Sequence, residues 1–90
     1  MTRLLHYTNQ FKKDFKRIQK QHKNLVVLKE VIARLVDEQP LEEKFRDHAL
    51  VGNYVGTREC HLEPDWLLIY RVEGEHLSLV RTGSHAELFK

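Results

Sequence analysis

The sequence predicts an α+β fold, written β-α-α-β-β-β, in which a helical hairpin packs on a small antiparallel sheet. Two observations support this prediction. Apolar residues recur at helical spacing in two segments before residue 40, and apolar or alternating segments joined by tight turns fill residues 57–83. Ninety residues with 41% hydrophobic and 31% charged side chains suit one domain over residues 1–90.

The N-terminal half of the chain predicts one short strand and two helices. Residues 4–7 are the strand candidate, and Thr8 is a good N-cap for a helix that runs to about residue 22. Asn24 caps the second helix, and Gln39-Pro40 ends it. The predicted buried stripes are Phe11, Phe15 and Ile18 in the first helix and Leu25, Leu28, Ile32 and Leu35 in the second.

The C-terminal half predicts a three-stranded meander after a connecting segment, residues 41–53, that has no clear period. Residues 58–63 alternate, and Pro64 ends that strand because it lacks a backbone donor. Residues 66–72 are nearly all apolar, which is typical of a strand buried on both faces. A turn at residues 73–75 leads to the third strand, residues 76–82.

Charge is distributed unevenly along the chain. The net charge is +2, but residues 1–24 carry +6 and the remainder carries −4. The cations of the first helix suit a nucleic acid or another anionic surface as partner, although a lysine-rich helix face is also often simply solvated. These cations are Lys12, Lys13, Lys16, Arg17 and Lys20.

Several classes of protein are excluded by what the sequence lacks. It has no apolar run long enough to span a bilayer and no phosphate-binding glycine-rich loop, HExxH, paired CxxC or GxSxG motif. Its single cysteine, Cys60, rules out an internal disulfide and suits the cytoplasm. Because Cys60 shares a strand face with Leu62, we expect a buried structural thiol.

Histidines are the candidates for chemistry. His61 and Asp65 flank the first turn of the meander, and His85 follows the third strand. Because the third strand runs antiparallel to the second, its end lies near the start of the second, so topology can bring these groups together with Arg81. His48 belongs to the connecting segment, and only the fold decides whether it joins them.

Imidazoles beside a carboxylate and an arginine suit metal-independent cleavage of RNA by its own 2′-hydroxyl, because histidine is an acid and a base near neutral pH. Trp66 or Phe89 could stack a base, although Trp66 could equally be core and Phe89 only an anchor. A His/His/Asp set could instead hold a metal, but no pair has short ligand spacing on one helix.

Two long segments resemble a known family. DHALVGNYVGTRECHLEPDWLLIYRV, residues 47–72, and LVRTGSHAELF, residues 79–89, are similar to the YafQ branch of the RelE/ParE superfamily of bacterial toxins. The resemblance extends over the helical hairpin, including FKKDFKR at residues 11–17. It implies a RelE-like fold and a ribosome-dependent endoribonuclease that cuts mRNA in the A site without a metal or other cofactor.

The resemblance also implies partners and site residues. The partners are the ribosome and a DinJ-like antitoxin, which represses the shared operon, so that operator DNA is reached only through the antitoxin. We expect His85 to be the general acid, Asp65 or His61 to be the base or to orient the 2′-hydroxyl, and His48 and Arg81 to stabilise phosphate charge. The family's functional positions fall on His48, His61, Asp65, His85 and Phe89, with Trp66 beside them.

Two alternatives remain open at the level of sequence. One is a non-enzymatic toxin of the same fold, like the ParE toxins that inhibit DNA gyrase, which would not need a polar histidine cluster. The other is a plain RNA-binding module, for which the basic helix would suffice and Asp65 would repel phosphates.

Overall fold

The computed structural model describes residues 2–89 and contains one five-stranded sheet in the order β1-β5-β4-β3-β2. A helical hairpin packs on one face of this sheet, as predicted. The strands are β1 (Leu4–Tyr7), β2 (His48–Ala49), β3 (Arg58–Glu63), β4 (Trp66–Glu73) and β5 (His76–Gly83).

The sheet is mixed, whereas the sequence predicted an antiparallel one. β1 pairs in parallel with β5, with Leu5 opposite Leu77 and Tyr7 opposite Leu79, while the other neighbours are antiparallel. The two helices separate β1 from the meander in sequence. At the end of the meander, β5 runs in the same direction as β1 and has a free edge with which β1 pairs. β2 was not predicted either, because two residues are too few to show alternation.

The two long helices are α1 (Asn9–Lys20) and α2 (Leu25–Val36). The predicted N-caps are present: Thr8 Oγ1 accepts from Phe11 N at 2.9 Å, and Asn24 Oδ1 accepts from Val26 N at 3.1 Å. Both helices end earlier than predicted because the chain turns into the left-handed region at His22 and Glu38, each with φ of 58°. Among the described residues, no helix is long and apolar enough to cross a bilayer.

The main core lies between the helical hairpin and the sheet. The helices contribute Phe11, Ile18, Leu28, Val31 and Leu35, and the strands contribute Cys60, Leu62, Trp66, Leu68, Tyr70, Leu77 and Leu79. Burial, followed by the charges of Asp47 and Glu59, raises the pKa of the Cys60 thiol to about 12, so this cysteine is inert, as expected for a structural thiol.

A smaller apolar cluster covers the opposite face of the sheet, where Leu67 and Ile69 of β4 pack with Leu88. Leu88 ends the short helix α3 (His85–Leu88), and Leu50 and Tyr54 of the segment after β2 pack against the same cluster. β4 is therefore buried on both faces, as its apolar sequence predicted. The functional side chains lie beside this smaller cluster.

Candidate active site

Four aromatic side chains form a row along one edge of the molecule. The ring centroids of His48 and His61 are 6.1 Å apart, those of His61 and His85 are 5.7 Å apart, and those of His85 and Phe89 are 6.4 Å apart. The three histidines come from β2, β3 and the first position of α3. The structure therefore brings together imidazoles that are 37 residues apart in sequence.

Strand register explains this convergence. His61 pairs with Leu67, and Leu67 pairs in turn with Gly83, so His61 and Gly83 lie in the same row of the sheet. Two residues after Gly83, His85 begins α3, whose N-cap Ser84 accepts from Glu87 N. On the other side, β2 places His48 opposite Glu59.

The segment that precedes His48 is anchored by a neighbouring carboxylate. Asp47 Oδ1 accepts from Tyr70 Oη at 2.6 Å and from Arg58 Nε at 3.2 Å, which ties this segment to β3 and β4. Burial and the adjacent Asp47 charge raise the pKa of Tyr70, so its hydroxyl remains a donor. His48 is thus held in place although both it and Ala49 are exposed.

Asp65 fixes the orientation of His85. Its Oδ1 accepts from the His85 backbone N at 3.0 Å and lies 2.8 Å from His85 Nδ1. These two hydrogen bonds, the backbone one first, lower the pKa of Asp65, so this carboxyl is ionised and can only accept. Nδ1 therefore carries a proton, and Nε2 is the nitrogen of His85 left for a substrate.

Glu59, which is not among the predicted site residues, joins the imidazoles of His48 and His61. It is 5% exposed, and its Oε2 lies 3.1 Å from His48 Nε2 and 3.4 Å from His61 Nε2. Its Oε1 is buried with no hydrogen-bond partner among residues 2–89. The alternation of β3, which puts Glu59 on the same face as His61, was the signal that could have found it.

Trp66 is a core residue, which corrects its prediction as a base-stacking side chain. The indole is fully buried and donates from Nε1 to Thr82 Oγ1 at 2.9 Å. A ring without exposed surface cannot stack on a nucleobase. Phe89, by contrast, is 42% exposed and makes an edge contact with Tyr54 at a centroid distance of 5.6 Å.

Arg81, which the sequence predicted as a phosphate-binding cation, is engaged by a buried carboxylate. Its Nε and Nη2 each lie 3.0 Å from an oxygen of Asp14, a fully buried residue of α1. This hydrogen bonding raises the pKa of Arg81, and its charge is already balanced within the fold. The sequence alone showed Asp14 only as a charge on the basic helix.

Arg17 also differs from the prediction, because it is not a free cation of the basic helix. It contacts Asp14 Oδ1 at 3.0 Å, Glu87 Oε2 at 2.9 Å and the Thr82 carbonyl at 2.8 Å. The exposed cations of that helix are the other four, Lys12, Lys13, Lys16 and Lys20.

Comparison with known proteins shows the family to which this chain belongs. A family model described as a bacterial toxin of type II toxin-antitoxin systems, YafQ, matches residues 3–90. The chain belongs to the YafQ family. It is 42% identical over 86 residues to the mRNA interferase toxin YafQ of Escherichia coli strain K12, with 94% of both chains covered.

Solved structures agree with this assignment to the YafQ family. A chain from the crystal structure of the E. coli DinJ-YafQ toxin-antitoxin complex superposes with a TM-score of 0.92 at 41% identity, over 100% of both chains. A metal-bound toxin from Helicobacter pylori superposes with a TM-score of 0.90 at 43% identity, over 99% of this chain and 100% of the other. The predicted family and the RelE-like α+β fold are confirmed.

One set of side chains in this YafQ-family toxin could hold a metal ion. His48, Glu59 and His61 offer two imidazole nitrogens and a carboxylate oxygen that lie within 4.8 Å of one another. This donor set suits Zn²⁺ or Cu²⁺. It differs from the His/His/Asp set considered from the sequence, because the ligands come from neighbouring strands and the carboxylate is Glu59 rather than Asp65.

Proposed function

We propose that this toxin is a cytoplasmic endoribonuclease that cuts mRNA in the ribosomal A site by metal-independent acid–base catalysis. The observation that carries the proposal is the row of three imidazoles, in which Asp65 turns His85 so that Nε2 is free. The similarity to the mRNA interferase toxin YafQ of E. coli supports the proposal.

The reaction is a transesterification in which the 2′-oxygen attacks the phosphorus and the 5′-oxygen leaves. A base removes the proton of the 2′-hydroxyl, the 2′-oxygen bonds to the adjacent phosphorus, and the bond from phosphorus to the 5′-oxygen breaks. An acid protonates the departing 5′-oxygen, which leaves a 2′,3′-cyclic phosphate and a 5′-hydroxyl. General acid or general base catalysis by one side chain raises the reaction rate about 10²–10⁴-fold.

The hydrogen bonds support one role for each histidine. His85 donates from Nε2 as the acid, with Asp65 as its positioning residue. His61 presents Nε2 to Glu59 at 3.4 Å, which leaves Nδ1 to accept the 2′-proton. His48 faces the Arg46 carbonyl at 2.7 Å and Glu59 at 3.1 Å, so both its nitrogens donate only when the ring is cationic, as suits a group that stabilises phosphate charge.

We infer two macromolecular partners besides mRNA. The DinJ-YafQ complex of E. coli supports a DinJ-like antitoxin, through which operator DNA would be reached. The four exposed lysines of α1 support ribosomal RNA, because cations at phosphates release counterions. Phe89, exposed at the end of the imidazole row, is the proposed base-stacking residue.

The decisive experiment maps mRNA 5′-ends in cells that express the toxin or His85→Ala, with His22→Ala as a control of equal size. New in-frame 5′-ends are expected with the wild type and His22→Ala and should vanish with His85→Ala. In a translation extract, a zinc-selective chelator that spares Mg²⁺ should leave cleavage unchanged. Growth arrest without new 5′-ends would instead favour a non-enzymatic target such as DNA gyrase.

A further inference from the structure

A cavity of about 520 Å³ opens directly beside the imidazole row. It lies between α2, the turn at Glu43–Phe45 and the β3–β4 turn, and both His61 and His85 line it. Val27, Phe45 and Leu62 give it apolar walls. Its volume falls within the range of about 300–1,000 Å³ that is typical of small-ligand sites.

Two cations line the same cavity, Lys44 and Arg46. The guanidinium of Arg46 has no ion-pair partner within residues 2–89, and the exposed Lys44 lies 3.9 Å from a Glu42 oxygen and 5.3 Å from the centroid of the Phe45 ring. Two exposed cations on the rim of a partly apolar cavity suit an anionic group, and in RNA that group is a phosphate.

The turn that holds these cations is strained and tied to the imidazole row. Arg46 has φ of 48°, a left-handed conformation that is costly for a residue other than glycine. Its backbone N donates to the Glu43 carbonyl at 2.9 Å, and its own carbonyl receives His48 Nδ1 at 2.7 Å. The geometry that orients His48 therefore also fixes the position of Arg46.

Two carboxylates, Glu30 and Glu63, complete the lining. Carboxylates only accept hydrogen bonds and would repel a phosphate placed deep in the cavity. They can accept from the exocyclic amino groups of adenine, cytosine or guanine, whereas uracil has no such group. The cavity therefore fits an amino-bearing base, with the phosphate held by the two cations.

Building on the endoribonuclease function proposed above, we propose that this cavity takes the base of the nucleotide beside the scissile phosphate in single-stranded RNA. Lys44 and Arg46 contact the adjoining phosphate, and the apolar walls cover the faces of the base. The cavity adds a base preference to a site whose imidazoles by themselves act on any phosphodiester.

The test compares Lys44→Gln/Arg46→Gln with Lys29→Gln/Arg34→Gln, which removes two exposed cations from α2. In a translation extract, the first variant should cut mRNA about tenfold more slowly for each charge-assisted hydrogen bond that it removes. The control should match the wild type. If the cavity takes an amino-bearing base, wild-type cleavage should be biased against uridine beside the cut. Val27→Trp, which fills the cavity, should weaken that bias. An unchanged methyl NMR spectrum elsewhere shows that each variant is folded.

A second measurement does not depend on cleavage. A trinucleotide RNA with 2′-O-methyl riboses, which cannot be cut, should shift the methyl resonances of Val27 and Leu62 in the wild type but not in Lys44→Gln/Arg46→Gln. If wild-type toxin cuts mRNA but the cavity variants cut at the same rate and sequences, the cavity proposal is wrong and the endoribonuclease proposal stands. If the wild type does not cut mRNA, yet the trinucleotide shifts these methyl resonances, the endoribonuclease proposal is wrong and the cavity still binds RNA. Shifts confined to other residues, or none, overturn the cavity proposal.

Discussion

At the scale of single residues, Asp65 determines which nitrogen of His85 is engaged within the fold, and this leaves Nε2 for the proposed role as acid. Its carboxylate accepts from both the backbone N and Nδ1 of His85, although both residues are exposed. Exposed ion pairs contribute little to folding stability. The contact is therefore better explained by the orientation of the imidazole than by stabilisation of the fold.

Replacing Asp65 with Asn should lower the turnover rate of mRNA cleavage by about 10²-fold, the lower end of what one acid–base role contributes. Binding to ribosomes and folding stability should change little, because the side chain is exposed. Single-turnover kinetics on programmed ribosomes would separate turnover from binding. Asp65→Glu should restore part of the rate, and Asp37→Asn, an exposed control, should leave it unchanged. Equal turnover for Asp65→Asn and the wild type would contradict the positioning role.

At the scale of elements, the junction of α1, β5 and α3 holds His85 in place from behind. Arg17 of α1 contacts the Thr82 carbonyl and Glu87 Oε2, and Glu87 Oε1 accepts from Ser84 N at 2.8 Å. Gly83 makes room for this network, because a Cβ there would lie 2.6 Å from Arg17 Nη2. An added methyl group at this position would therefore displace the Arg17 guanidinium from its partners.

Gly83→Ala should lower the free energy of unfolding by about 1–3 kcal/mol, the usual cost of an added methyl group in a packed site. The loss should shrink in an Arg17→Ala background, because truncating Arg17 removes the atom that the new methyl group would meet. Urea denaturation of the two single variants and the double variant measures this coupling. Additive losses would show that the strain arises elsewhere.

At the scale of the whole molecule, two carboxyls that are packed within the fold, Asp14 and Glu87, link folding to pH. Burial by itself would raise the pKa of Asp14, but hydrogen bonds from Arg81, Gln10 and Thr82 N outweigh it and lower that pKa. A hydrogen bond from the Ser84 backbone N lowers the pKa of Glu87. Because these groups bind protons less readily when folded, their stabilisation is complete above the unfolded pKa values and is lost as pH falls through the folded ones.

The free energy of unfolding should therefore fall as pH decreases below about 4. Asp14→Asn should be less stable at neutral pH by about 3–5 kcal/mol, because it leaves Arg17 and Arg81 without a buried counter-charge. It should also lose less stability than the wild type as pH falls below about 4, where carboxyls of the unfolded chain bind protons that the folded carboxyls bind less readily. Urea unfolding followed at several pH values tests both expectations, and parallel pH curves for the two proteins would contradict the second.

The charge asymmetry is also a property of the whole molecule. Exchanging the four exposed lysines of α1 for glutamine should weaken ribosome binding and flatten its dependence on salt. The log–log slope should change by about 0.7–0.9 for each phosphate that the variant no longer neutralises. Sedimentation with ribosomes across a salt series measures this slope. Arg17→Gln should instead lower folding stability, since Arg17 is paired within the fold. If the salt dependence of the lysine variant has the same slope as that of the wild type, α1 does not bind ribosomal RNA.

The order and type of the main elements could be predicted from the sequence because they depend on local patterns. Apolar residues at helical spacing, the caps at Thr8 and Asn24, and the stop at Pro64 each act over a few residues. The antiparallel meander also placed His61 and His85 at one end of the sheet, since tight turns leave few other topologies. The exposed lysines of α1 followed from the same helical spacing.

The tertiary structure decided which polar groups pair and which face water. Arg81 and Arg17 have the sequence pattern of RNA-binding cations, but Asp14, 67 residues before Arg81, lies buried between them. Trp66 is core, Glu59 is the partner of two imidazoles, and β1 joins β5 in parallel. The physical reason is range: backbone preference and periodicity act between near neighbours, whereas burial and charge pairing depend on residues brought together only by packing.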